Sequence, residues 1–172
     1  MTEFTERQIK ELDIDWYCLI QGKPTHIASM GGVIPKKFRD RKVLRLQQDM
    51  VAMMTPIMEV KLNMDNIQNQ IADGYEYLQD KMIKEAIENA NRNNLGFAYL
   101  IDYELPVRLY ASTFVEKARR GFRSFARREG KEGNEYVLIA EPSKPFVFNV
   151  EQLNLQELEC KHRNDGNSFV IE

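Results

Sequence analysis

The stretch EKARRGFRSFARREGK, Glu116 to Lys131, holds five arginines and two lysines in sixteen residues. How it is read decides the assembly of the C-terminal half. Taken as part of a helix that begins near Ser112, it can be phased at 100° per residue with Phe114 at 0°. Val115, Ala118, Phe122, Phe125 and Ala126 then fall between about 20° and 120°. Lys117, Arg119, Arg120, Arg123 and Arg127 fall between about 140° and 300°, with Arg128 near 320°. The phenylalanines take the core side and the cations the opposite one, so the rings are badly placed to stack bases. Glu116 is the lone countercharge on the outer side, which leaves the arginines short of i,i+4 partners. Planar guanidinium forks suit carboxylate or phosphate better than plain solvation, and the chain's own acidic segments such as Glu132 to Glu141, an acidic partner protein or a nucleic acid could each supply it.

The basic stretch belongs to a banded chain. The whole sequence carries a net charge of −2. Lys36 to Arg45 nevertheless holds six cations against one carboxylate, and Ala111 to Lys131 seven against two. Leu46 to Tyr110 and Glu132 to Glu172 are acidic, ten carboxylates against five cations and eight against three. Banding of this kind bears on docking more than on fold.

A chain of 172 residues suits one domain and can bury a sizeable core without staples. Its 43% apolar and 29% charged composition is that of a globular protein. Two cysteines, Cys18 and Cys160, do not make a disulfide framework, which favours a reducing compartment. The N-terminal MTEFTERQIKELDID lacks the apolar region of a signal peptide, and runs such as FAYLI are far shorter than a membrane span. The expected location is the cytoplasm, or a particle assembled there, with no membrane contact.

IDWYCLIQGKPTHIASMGG, Ile14 to Gly32, reads as a β-hairpin. With Gly22 and Lys23 as the loop, position 18 pairs with 27 and 19 with 26. Ile14, Trp16, Cys18, Ile20, Ile27 and Ser29 then form the core face. Asp15, Tyr17, Leu19, His26, Ala28 and Met30 form the wet one, and a one-residue slip would exchange the two. Val43, Leu46, Met50, Met53, Met54 and Ile57 recur at helical spacing as one apolar face, closed off before Pro56. IMEVKLN is a short extended piece. Ile67 to Ala90 continues a helical stripe that starts after an Asp65 cap. GFAYLIDYEL, NEYVLIAEP and PFVFNV read as strands, and LQELECKHRNDGNSFVIE as a last hairpin turning at NDGN. The order β-β-α-α-β-α-β-β predicts an α+β fold, a single domain over 1–172, with a largely antiparallel sheet and about three helices.

Signatures of common chemistry are sparse. No CxxC, HxxxH, EF-hand, GxGxxG, GxxxxGK[ST] or GxSxG pattern occurs. His26, His162, Cys18 and Cys160 could form a metal set only if the fold assembled them. A Cys18–His26 nucleophile pair fails because the hairpin puts the two on opposite faces. Asp15, Tyr17 and His26 share a face, where a carboxylate could orient an imidazole. SMGGVIPKK could form an anion nest or merely end a strand, and the paired carboxylates of DYE (Asp102 to Glu104) resemble those of any edge strand.

The reading that follows is a non-enzymatic assembly subunit without cofactor or metal, such as occurs in a phage or other virion particle. Its expected docking surface is Arg119, Arg120, Arg123, Arg127 and Arg128 with Lys36, Lys37, Arg39 and Arg41, facing acidic protein partners. Two competitors stand beside it. One is a nucleic-acid-binding accessory using the same cations, marked by steep salt dependence. The other is a small enzyme with a site near His26 and Tyr17.

Overall fold

A computed structural model describes residues 2–74, 104–129, 133–144 and 150–171. The elements in chain order are α1 (Glu6–Glu11), β1 (Asp15–Ile20), β2 (Lys23–Ala28), α2 (Arg41–Met53), β3 (Val60–Leu62) and α3 (Met64–Asp73). There follow α4 (Glu104–Ala118), β4 (Arg123–Arg127), β5 (Glu135–Pro142), β6 (Lys161–Arg163) and β7 (Ser168–Val170). The fold is α+β, with four α-helices among the described residues rather than about three. The helical continuation beyond Gly74, most of GFAYLIDYEL and most of PFVFNV lie outside the described residues. Glu104 and Leu105, the end of the expected central strand, belong to α4.

The basic stretch is not one helix. Alpha4 stops at Ala118, where Phe122 N–H bonds Lys117 C=O at 3.2 Å and Gly121 N–H bonds Ala118 C=O at 3.0 Å. This 6→1 and 5→2 pair is a Schellman motif, and Gly121 takes the positive φ (+100°) it needs. The chain then re-enters as β4. Phe125 points into one core, while Ser124 and Ala126 are small enough for α4 to pack close on the other face. Phe122 and Phe125 are buried as expected, but period 2 rather than 3.6 puts Phe125 there.

The seven strands form one curled sheet, ordered β1-β2-β4-β5-β7-β6, with β3 also on β5. The largely antiparallel expectation is corrected at β2–β4, a parallel pair that places Ile27 beside Phe125 and Ala28 beside Ala126. The helical crossover from β2 to β4 makes that pairing possible, since parallel neighbours need a long connection. Along one side of β5, β7 pairs with Glu135–Val137 and β3 with Ala140–Pro142. The curl brings the two edges together. Leu19 on β1 exchanges backbone bonds with Gln156 and Leu158. Lys161, three residues later, opens β6 at the other edge. Three residues span at most about 11 Å.

The hairpin turns one residue earlier than expected, at Gln21–Gly22, both with positive φ. Cys18 therefore faces Thr25 and Tyr17 faces His26. Moving the turn by one residue changes each pairing by two positions, so the two faces keep their members. The expected wet face is nevertheless buried. Inside the curl, Trp16, Cys18, Ile20 and Ile27 pack with Phe125, Tyr136, Leu138 and Phe169. On the outside, Ala28, Ala126, Val137 and Ile139 meet Ile67 of α3 and Val107, Ala111, Phe114 and Ala118 of α4. Strands central to a parallel pair are covered on both sides.

Alpha2 is rotated from its expected phase. It buries Leu44, Gln47 and Val51, centred about 110° round from the apolar stripe at 100° per residue. Polar anchors set that phase. The Asp40 carboxylate accepts from Lys42 and Val43 N–H at 2.9 and 3.1 Å, capping the helix. Gln47 donates to Leu153 C=O and Gln48 to Asp15 C=O, both at 2.9 Å.

Candidate functional site

The structure disperses the nine cations of the expected docking surface. Arg120 pairs with Glu116 at 2.9 Å and donates to Met54 C=O at 3.1 Å. Arg123 pairs with Glu141 at 3.2 Å and donates to Gly166 C=O at 3.1 Å. Arg127 donates to Gly133 and Met30 carbonyls, and Arg128 to both oxygens of Glu135. Arg39 binds Glu6 and the Ile34 carbonyl. Arg41 reaches Gln8 and lies 4.8 Å over the Phe4 ring. Lys37 donates to the Glu157 carbonyl, whereas Lys36 and Arg119 are exposed. Among the described residues, most of these charges already hold intramolecular partners, several of them acceptors on neighbouring strands and loops.

His26 sits where the sequence placed it, beside Asp15 and Tyr17, but in a different setting. It is 1% exposed, wedged between Tyr17 (ring centroids 5.5 Å) and Phe114 (6.2 Å). Its Nε2 is 2.8 Å from Asp15 Oδ1 and its Nδ1 is 2.6 Å from Ser124 Oγ. With Asp15 accepting from Nε2–H, Nδ1 accepts the Ser124 hydroxyl proton, and a neutral imidazole is fully satisfied. Burial pushes the His26 pKa below 6.5, against the opposing pull of Asp15. Burial alone would raise the Asp15 carboxyl, yet the His26 hydrogen bond and the charges of His26 and Lys117 carry it below 3.8. The order Asp–His–Ser invites comparison with a nucleophilic triad. Ser124, however, is completely buried, and a nucleophile needs a path to its substrate.

The remaining candidates are equally occupied. Cys18 lines the inside of the curl, away from His26, and burial pushes its thiol well up, the wrong direction for a nucleophile. Cys160 Sγ is 3.7 Å from His162 Nε2, and burial raises that thiol too. Among the described residues no group of three or more His, Cys, Asp or Glu is placed to hold a metal ion. The double glycine is a packing device, not a nest. Gly31 N–H bonds Leu12 C=O and Gly32 N–H bonds Ser29 C=O, so neither is free for an anion. A Cβ at Gly32 would lie 2.3 Å from the Tyr136 hydroxyl.

What the structure does expose is the apolar stripe of α2. Met53 is 85% exposed, Leu46 59% and Val43 41%, and Ile57, beyond the helix end, 68%, while Met50 and Met54 are half-buried against the inner core. Lys42 and Arg45 stand exposed on the same helix and Lys36 just before it, with Asp49 as the opposing charge. At the N-terminal end of the stripe, Val43 and Leu44 line a cleft of about 240 Å³ together with Trp16, Phe38, Asn154 and Gln156. The Trp16 and Phe38 rings pack at 5.0 Å, and the buried Trp16 Nε1–H has no partner among the described residues. The stripe was legible in the sequence; its exposure was not, because the spacing cannot say which apolar face the polar anchors turn outward.

No helix among the described residues is long and apolar enough to cross a membrane. Comparison with protein-family models, with curated proteins and with solved structures finds no match to this chain.

Proposed function

We propose that this protein is a non-enzymatic interaction subunit that seats an acidic, amphipathic helix of a partner protein along α2. The observation that carries this reading is the line of exposed Val43, Leu46 and Met53, with half-buried Met50 between them, running at 3- and 4-residue spacing into the cleft beside Trp16. That spacing is the seam one helix offers another. The cleft would take an anchoring side chain, the kind of buried contact that dominates interface energetics. Lys36, Lys42 and Arg45 outnumber Asp49 along and just before α2, while Lys37 and Asp40 balance in the cleft itself, and the surplus favours a carboxylate-rich partner. A second copy of this chain would set the same basic border against itself. The proposal keeps acidic protein partners and moves the contact from the arginine clusters to α2.

The test is a photo-cross-linking residue placed at Leu46, with a control at the exposed Arg163, in the native host. The expected result is one acidic protein joined at position 46 and not at 163, lost from co-purification with Leu46→Asp/Met53→Asp. Equal labelling at both positions, or cross-links to a second copy alone, overturns the reading.

A further inference from the structure

The end of the curled sheet at the β1–β2 turn, opposite Asp15, carries a second concentration of charge. The β1–β2 turn, the start of β4, the end of β5 and the β6–β7 turn all lie at that end, because β2 and β4 run parallel and β5 runs against them. Between them is a cleft of about 420 Å³ lined by Lys23, Lys61, Arg123, Lys144 and Glu141, with Pro24 and Pro142 as apolar walls. The volume is within the range of small-molecule sites, and the mouths of curled sheets are a recurrent place for them.

The charges are set by strand register. Lys61 lies directly across from Glu141 in the β3–β5 pair, and Arg123 meets Glu141 from β4 on the other side. Arg123 is further tied to Gly166 C=O and lies 5.3 Å over the Phe125 ring, so its guanidinium is held in place at the rim. Glu141 is thus already engaged by Arg123. Lys23, Lys61 and Lys144 are exposed at the rim, each from a different segment. Three ammonium groups and a fixed guanidinium line the cleft with Glu141, while Glu157 accepts from the Gly22 N–H at 3.0 Å at its edge and Asp65 lies in the adjoining hollow beyond Lys61, so cations still outnumber carboxylates.

We propose that this cleft binds a small phosphate-bearing molecule with two linked phosphoryl groups. Lysines contact phosphate as mobile point charges and the arginine offers a rigid donor edge, a division of labour suited to a polyanion. A diphosphate matches the surplus of positive charge, and the proline walls suit an organic substituent. This site is separate from α2 and does not depend on the partner proposed there.

Calorimetric titration of the full chain with inorganic pyrophosphate and with adenosine diphosphate, at low and at physiological salt, tests the inference. Saturable binding is expected for at least one of the two. Lys61→Gln/Lys144→Gln should weaken it about tenfold or more, since both sites are exposed and the fold is kept. Pyrophosphate alone binding indicates a free diphosphate, and stronger binding of the nucleotide indicates an ester. No heat from either probe at low salt overturns the proposal. So does binding that the double substitution leaves unchanged in a variant of native circular dichroism.

Discussion

His26 Nε2 lies 2.8 Å from the Asp15 carboxylate, and the imidazole it belongs to is buried between Tyr17 of β1 and Phe114 of α4. Folding keeps this histidine neutral. Because its folded pKa is below 6.5, the unfolded chain takes up a proton there that the folded chain refuses. Stability is therefore complete above about pH 6.5 and falls as pH drops from there through the folded value. Asp15 acts in the same direction in a lower window, its contribution fading below 3.8. Urea unfolding between pH 4 and 8 should show this acid loss, and His26→Gln should flatten its upper part. A wild-type stability independent of pH between 5 and 7 contradicts the assignment.

Ser124 satisfies His26 Nδ1 at 2.6 Å. Ser124→Ala leaves a buried acceptor without a donor and should cost about 1–3 kcal/mol. Calorimetric or chemical unfolding measures it; a change below a few tenths of a kcal/mol would mean that the hydrogen bond contributes nothing net.

Gly32→Ala forces a methyl against the Tyr136 hydroxyl and the Ser29 carbonyl, at 2.3 and 2.8 Å. A destabilisation of about 1–3 kcal/mol is expected, as for other overpacked sites. Removing the hydroxyl in Tyr136→Phe should relieve part of it, and a double-mutant cycle gives the coupling. Strict additivity would show that the backbone, not the hydroxyl, is the obstacle.

The rotated phase of α2 separates its two apolar sets. Leu44→Ala should cost about 2–5 kcal/mol for lost core packing, and Val51→Ala, which removes fewer atoms, somewhat less. Leu46→Ser and Met53→Ser should stay within about 0.5 kcal/mol in the isolated protein. Equal costs in both sets would place the stripe in a core.

These contrasts also locate what the sequence could and could not convey. Alternation in Ile14–Ile20 and Pro24–Ala28 sorted the residues between the two hairpin faces correctly even though the turn fell one residue early, since side-chain faces depend on parity, but the face expected to be wet is buried. The same letters left open that helices would cover both faces. In Glu116–Lys131 the three-residue spacing of Phe122 and Phe125 reads as helical, since period 2 would send them to opposite faces; both are buried only because Phe122 lies in the turn before β4. Gly121 was the discriminating residue, a helix stop in the middle of an otherwise helical pattern. Asp15 and His26 were assigned to one face, but Ser124 joined them through a parallel pairing 98 residues away in sequence, which no local pattern encodes. For α2 the apolar stripe was visible and the anchors Gln47 and Gln48 were not, because their acceptors lie on Leu153 and Asp15.

The most direct test of the docking proposal is oxidative footprinting of Met53, compared between the purified chain and the protein inside its native host. Met53, at 85% exposure, should oxidise rapidly when purified and be protected in the cell, while the exposed Lys161 and Arg163 of β6, outside α2, keep the same reactivity in both. Equal oxidation of Met53 in both settings would contradict the claim that α2 is a partner-covered surface.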